Sequence, residues 1–178
     1  VDENTVAIFA FMGHGQENNG MHYLIPQEMP QPKYLKQRAI SQKETLEQIE
    51  AKRPVLTMAI LDCCREKADV RAGYGGGEGL VGLARPVGSL VMYATGSGGE
   101  ATDTVAGSQH GAFTGELLKV IDEPGLSLYD MCVKVGKAVE VATDGEQKPG
   151  FDGGGMMEAR KFQAVSLVKK TAGQQPGS

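Results

Sequence analysis

A chain of 178 residues is long enough to form one domain with a sizeable hydrophobic core. Its net charge of −4 provides no basic surface for nucleic acid, and no apolar run reaches the length of a membrane span. The three cysteines, two of them adjacent, do not resemble a disulfide framework, so we expect a reducing compartment and a cytoplasmic location.

Apolar runs and one helical pattern alternate in the first part of the chain. Continuous apolar and β-branched runs predict buried strands, whereas Ser41 and Glu44 form a capping box that predicts the start of a helix. Pro54 ends that helix and separates it from the next apolar run. The predicted elements are strands at 5–11, 21–26 and 55–61 and a helix at 41–53.

The second part of the chain continues this alternation after a Gly-rich loop at 67–86. Ser127 and Asp130 form another capping box at the start of a helical pattern. Residues 161–170 alternate apolar and polar positions, which predicts a half-exposed edge strand and a candidate edge for a homodimer. The other predicted elements are a strand at 88–95 and helices at 111–122 and 127–142.

Continuous apolar strands that alternate with helices predict an α/β protein with a mainly parallel central sheet covered by helices on both faces. We expect one domain at 1–170, divided by the Gly-rich loop into 1–66 and 87–170, and a flexible tail at 171–178. In such sheets, ligands bind where loops leave the carboxyl ends of the strands. If the strands are parallel neighbours, His14, the two adjacent cysteines and Glu100 converge on that rim.

The stretch "AILDCCRE" at 59–66 places two cysteines directly behind a buried strand. Cys63 and Cys64 could include a nucleophile, form a metal or redox pair, or be two buried thiols. Zinc is the weaker alternative, because structural zinc sites space their cysteines by two to four residues. His14 lies 50 residues before Cys64 and could act as a base, and its flanking glycines would let a substrate carbonyl approach closely.

Four motifs in this order resemble the caspase-like cysteine peptidases, most closely their metacaspase and paracaspase branches. They are "MGHGQENNGMHYLIPQE" (12–28), "ILDCCRE" (60–66), "LVMYATGSGGEATD" (90–103) and "GAFTGELLKVI" (111–121). The resemblance runs from about Val6 to Val168 and implies the caspase-like three-layer sandwich. Members of this family have further strands before the His-Gly strand, and we expect this chain to lack them.

The resemblance assigns a role to each motif residue. It implies that Cys64 is the nucleophile, that His14 is the general acid/base, and that the N–H groups of Gly15 and Cys64 form the oxyanion hole. Cys63 is then expected to pack against the core. Asp62 and Glu100 match positions of an acidic pocket, which predicts cleavage after arginine or lysine because carboxylates bind cationic side chains.

The implied activity is a cysteine endopeptidase that cleaves protein or peptide substrates through an acyl-enzyme. The main alternative is a catalytically silent scaffold that acts by protein association, and a third is a hydrolase or transferase with a non-peptide substrate. Calcium activates many metacaspases, but Glu66, Asp69 and Asp103 are only candidate ligands here, so we assign no metal and no certain cofactor. We expect Cys132, His22 and His110 to be structural or surface residues.

Overall fold

Two β-sheets organise the part of the chain that the computed structural model describes, which is residues 5–18, 20–26, 38–67, 89–102, 109–153 and 162–169. The strands are β1 (Val6–Met12), β2 (His14–Asn18), β3 (Met21–Ile25), β4 (Ile40–Ser41), β5 (Leu56–Asp62), β6 (Glu66–Lys67), β7 (Ser89–Tyr93) and β8 (Gly150–Asp152). The helices are α1 (Gln42–Glu50), α2 (Ala112–Leu118) and α3 (Leu128–Ala142).

The central sheet has the strand order β1-β5-β7-β8. Strands β1, β5 and β7 are parallel, and β8 is antiparallel to β7. All five residues of β7 and the first six of β5 are buried, as expected for inner strands of a covered sheet. The prediction of an α/β protein with a mainly parallel sheet is therefore confirmed.

Helices cover both faces of this sheet because residues along β5 alternate between two hydrophobic clusters. Met58 and Ile60 contribute to the cluster that contains the buried side chains of α2 and α3. Ala59 and Leu61 contribute to the other cluster, with Leu46 of α1 and side chains of β3 and β7. The two side-chain rows follow from the two-residue period of a strand.

Both predicted capping boxes form at the helix starts. The Ser41 hydroxyl accepts a hydrogen bond from the Glu44 N–H at 3.3 Å, and the Ser127 hydroxyl accepts one from the Asp130 N–H at 3.0 Å. Helix α1 ends at Glu50, three residues earlier than predicted.

The second sheet was not predicted as a unit. Its strand order is β4-β3-β2-β6, and β2 begins at His14, where the sequence indicated a loop. The residues of β2 are "HGQEN", which lack the apolar alternation that identifies a strand. This small sheet places the motif around His14 beside the end of β5.

The predicted edge strand at 161–170 is wrong. In the described residues 162–169, a single bridge joins Ser166 to Ser127, and Phe162 is buried in the cluster of α2 and α3. Val165 and Leu167 also pack against that cluster, so the alternation reflects packing on the core. The homodimer remains a prediction, although it loses the strand on which it was based.

Some predictions concern residues that the structure does not describe. The Gly-rich loop lies almost entirely outside the described residues, as does the tail at 171–178, so the subdivision of the domain stays a prediction. In the described part of the chain, no helix is both long and apolar enough to cross a bilayer.

Candidate active site

The segments that carry His14 and Cys64 run side by side at a constant offset. On the central sheet, β1 pairs with β5 as far as Met12 and Asp62, and each pair joins residues 50 positions apart. The Gly13 N–H then donates to the Asp62 carbonyl oxygen at 3.0 Å. Further along the chain, after His14 and Cys64, strands β2 and β6 also pair residues that are 50 positions apart. His14 and Cys64, themselves 50 positions apart, thus lie between two stretches in one register.

Gly15 is the point of closest approach between the two motifs. A Cβ atom on Gly15 would lie 2.6 Å from the Cys64 carbonyl oxygen and 2.8 Å from both the Cys63 Sγ and the His22 Nε2. These distances are shorter than van der Waals contact, so only glycine fits there without a shift of its neighbours. The side of Gly15 that would carry a Cβ therefore faces Cys63, and its exposed neighbour His14 points to the opposite side of β2.

The two adjacent cysteines have different environments. Cys63 is 2% exposed and lies in the cluster of Ala59 and Leu61, so the prediction that it packs against the core is confirmed. Burial, with a smaller effect from the charge of Asp62, raises the pKa of the Cys63 thiol to about 12. At neutral pH, Cys63 is consequently a neutral thiol rather than a thiolate.

Cys64 lies at the rim of the sheet and is half-buried. Its Sγ accepts a hydrogen bond from the Ala101 N–H at 3.3 Å. The same Sγ also lies 3.9 Å from the Ala101 carbonyl oxygen, so the thiol contacts the backbone of the 94–102 segment through both polar groups of Ala101. Of the two cysteines, Cys64 therefore has the environment that suits a nucleophile.

A second cysteine–histidine pair lies beneath the rim. The His22 Nε2 is 3.8 Å from the Cys63 Sγ, and the pair is consistent with a catalytic dyad in its residue types and its separation. Both side chains, however, are 2% exposed. A peptide bond would have to enter the core to reach this sulfur.

The environment of His22 favours a neutral imidazole. The Gln42 amide nitrogen donates to the Tyr93 hydroxyl at 2.7 Å, so the Gln42 oxygen faces the His22 Nδ1, 3.0 Å away, and accepts its hydrogen. Burial lowers the pKa of His22, which keeps the imidazole neutral. The Nε2 faces both the Cys63 Sγ, at 3.8 Å, and the Cys64 carbonyl oxygen, at 3.4 Å.

Asp62, the last residue of β5, contacts the start of α2. Its Oδ2 accepts hydrogen bonds from the Thr114 N–H, at 3.2 Å, and from the Thr114 hydroxyl. Asp62 continues the row of β5 side chains that faces α2 and α3. The carboxylate predicted to bind substrate is thus fixed in orientation at the carboxyl end of the sheet.

Glu100 lies in a loop, residues 94–102, that follows β7 and crosses the nucleophile segment. The Arg65 N–H donates to the Gly99 carbonyl oxygen, and the Gly98 N–H donates to the Arg65 carbonyl oxygen, each at 2.9 Å. Glu100 is exposed, and its neighbour Ala101 is the residue that bonds to the Cys64 sulfur. Glu100 thus directly precedes, in the chain, the residue that contacts the Cys64 sulfur.

Comparisons with known proteins identify the family of this chain. The family model described as the caspase domain matches residues 1–157. The chain belongs to the caspase-domain family. Among curated proteins, no sequence matches this one significantly.

The solved structures include a protein with the same fold as this caspase domain. It is protein GSU0716 from Geobacter sulfurreducens, with a TM-score of 0.56 and 16% sequence identity. The match covers 96% of this chain and 73% of that protein. At this identity the likeness shows a shared fold alone.

Arg65 is the cationic residue that directly follows Cys64 in the sequence of this caspase domain. Its guanidinium lies 4.3 Å from the centre of the Tyr93 ring and 3.4 Å from a carboxylate oxygen of Glu17. Ser97 also donates to that carboxylate, at 2.7 Å. Arg65 is 7% exposed, so its charge is held inside the domain by Tyr93 and Glu17.

No cluster of three metal-ligating side chains occurs in the described part of this caspase domain. The candidate calcium ligands Asp69 and Asp103 lie outside the described residues, and the side chain of Glu66 is not described either. Calcium activation therefore stays a prediction.

The sequence did not identify the residues that support the rim from behind. His22, Gln42 and Tyr93 were assigned no role or a structural one, yet they form the buried network against which Gly15 packs. Neither motif spacing nor periodicity distinguishes such residues, because their contacts join segments far apart in the chain. Gln147, 1% exposed, was missed in the same way: it accepts from the Thr102 N–H and donates to the Ala94 carbonyl oxygen.

Proposed function

We propose that this caspase domain is a cysteine endopeptidase in which Cys64 is the nucleophile and His14 the general acid/base. One observation supports the proposal: the strand pairings before and after His14 and Cys64 both join residues 50 positions apart, which is also the separation of His14 from Cys64. Paired residues of adjacent parallel strands point to the same side, so in the proposal the imidazole of His14 reaches the Cys64 thiol.

The proposed reaction has two steps. The Cys64 thiol gives its proton to His14 as the sulfur attacks the peptide carbonyl carbon, and the C–N bond breaks as His14 passes that proton to the leaving amine. Water then attacks the thioester carbonyl carbon and gives a proton to His14, the C–S bond breaks, and His14 returns the proton to the Cys64 sulfur as the acid product leaves. The N–H groups of Gly15 and Cys64 are the proposed oxyanion donors, a role supported by the close approach of the two segments at Gly15.

We further propose that cleavage follows arginine or lysine. In the proposal, Asp62 and Glu100 supply the negative charge that binds this basic side chain. Arg65, whose cation would otherwise favour an acidic substrate side chain, is buried against Tyr93 and paired with Glu17. The balance of charge at the rim therefore favours a cationic side chain.

The second candidate dyad is His22 and Cys63, which the separation of 3.8 Å favours. Against it, burial raises the pKa of Cys63 to about 12, so formation of the thiolate would be costly at neutral pH. In the proposal, His22 and Cys63 are buried residues that pack beneath the site.

Hydrolysis of fluorogenic peptides ending in arginine, lysine or aspartate tests the proposal, with and without calcium. Cys64→Ala and His14→Ala should each lower kcat/KM for the arginine peptide by about 10²-fold or more, whereas Cys63→Ala should retain activity. Activity that survives Cys64→Ala and disappears in Cys63→Ala would assign the reaction to the inner pair. Preference for aspartate would refute the acidic pocket, and a folded chain without turnover would favour the scaffold.

A further inference from the structure

The contact between Thr114 and Asp62 joins two elements that are distant in the sequence. Thr114 is the third residue of α2, and Asp62 ends β5. The N-cap residue of α2, Gly111, has no side chain to cap the helix. Asp62 instead accepts from Thr114 through both its backbone N–H and its hydroxyl.

The Thr114 hydroxyl differs from those of other threonines in the described helices or at their ends. Thr45 and Thr143 each donate to the carbonyl oxygen four residues earlier, which is the usual local bond for such a hydroxyl. A hydroxyl has one hydrogen to donate, and Thr114 donates it to the Asp62 carboxylate. The side chain of Thr114 is thus directed to another element at the rim of the candidate site.

We propose that Thr114 is the positioning residue of the specificity pocket, which holds the Asp62 carboxylate ready for a guanidinium or ammonium group. The inference rests on the proposed function, in which Asp62 binds the basic side chain. Two donors on one carboxylate oxygen restrict rotation of the group. Because threonine is β-branched, its own hydroxyl direction is restricted as well.

The consequence is a selective effect on charged substrates. Removal of the hydroxyl loosens the carboxylate, so the binding of a cation weakens, while the thiol of Cys64 and its donor at Ala101 are untouched. A role limited to holding α2 in place would affect charged and neutral substrates alike. This difference distinguishes a residue that orients the Asp62 carboxylate from one that only holds α2 in place.

The test compares two peptides that differ only at the cleaved position, arginine in one and its neutral isostere citrulline in the other. The preference is the ratio of their kcat/KM values. Equilibrium binding of uncleavable versions measures the preference without turnover, as a ratio of Kd values. Thr114→Val should lower the preference about tenfold, through KM rather than kcat, because a bond to a charged group is lost. Thr114→Ser, which retains the hydroxyl, should keep it.

Asp62→Asn provides the matched background. It should reduce the preference by itself, and Thr114→Val should then cause no further loss. If Thr114→Val weakens both peptides equally, or acts equally in the Asp62→Asn background, the role of Thr114 is refuted while that of Asp62 stands. If Asp62→Asn leaves the preference unchanged, the proposed pocket fails, and the inference with it.

Thermal unfolding of each variant controls for loss of the fold. Should Thr114→Val fail to fold, Thr114→Ala removes the same hydroxyl and has a higher helix propensity, so the comparison with Thr114→Ser still decides the question.

Discussion

The Cβ position of Gly15 lies 2.6 Å from the carbonyl oxygen of Cys64, so the segments that carry His14 and Cys64 are in close contact at this point. The added methyl group of Gly15→Ala should therefore push the two segments apart or prevent their contact from forming. We expect a loss of stability of about 1–3 kcal/mol, as for overpacked cores, and a loss of hydrolysis of the arginine peptide. Thermal unfolding and peptide hydrolysis measure the two effects.

Gly150→Ala is the matched control for that substitution. The nearest neighbours of its added Cβ lie 3.8 Å away, which is ordinary contact. It should change the melting temperature far less than Gly15→Ala. Equal melting temperatures for wild type and Gly15→Ala would contradict the close approach of the motifs.

Buried His22 should make stability depend on pH. Burial lowers the pKa of His22 in the folded state below its ordinary value of 6.5, so the unfolded chain binds the proton more readily. Stability should be unaffected by His22 above pH 6.5 and should fall as the pH drops from 6.5 towards the lowered pKa. Urea unfolding at several pH values between 8 and 5 measures this slope.

His22→Gln removes the titrating group and should reduce that slope, whereas substitution of His110, which is exposed, should not. The substitution is also expected to lower stability at every pH, because the new side chain must fit beside Gln42. An identical pH dependence in wild type and His22→Gln would show that His22 is not the neutral, buried group described above.

The ion pair of Arg65 and Glu17 should stabilise the fold more than a surface pair. The two side chains are 8% and 13% exposed, so Glu17→Gln leaves a buried cation whose remaining described contact is the Tyr93 ring. We expect a loss of about 3 kcal/mol in the free energy of unfolding. Glu47→Gln, which breaks the exposed pair with Lys43, should cost less than about 0.5 kcal/mol. Similar costs for the two variants, from urea unfolding, would contradict this prediction.

Gln147 should be required for the loop that bears Glu100. Its buried amide bonds to the backbone of Ala94 and Thr102, at the two ends of that loop. Gln147→Leu leaves both backbone groups without these partners and should cost about 2–4 kcal/mol, measured by chemical denaturation. Gln48→Leu, at an exposed position of α1, is the control and should be nearly neutral. An unchanged free energy of unfolding in Gln147→Leu would mean that the loop does not depend on these two hydrogen bonds.

Local chemistry explains which elements were predictable. The long strands and the starts of α1 and α3 follow from apolar runs and from the caps at Ser41 and Ser127, which need only near neighbours. Strand β2 was missed because it forms by pairing with β3 and β6 rather than by an apolar pattern of its own. The segment 162–169 was misjudged because its apolar residues pack on the cluster of α2 and α3.

The sequence by itself determined the family and the pair of motifs on which the candidate site depends, since the order and the spacing of His14 and Cys64 need no structure to be recognised. The tertiary structure alone identified the partners of the adjacent thiols: Cys63 lies beside His22 in the core, and Cys64 lies at the rim beside Ala101. It also decided that Arg65 is neutralised and that Asp62 is held by Thr114. The physical reason is that burial and hydrogen bonding depend on contacts between residues about 20 to 50 positions apart, which no local pattern encodes.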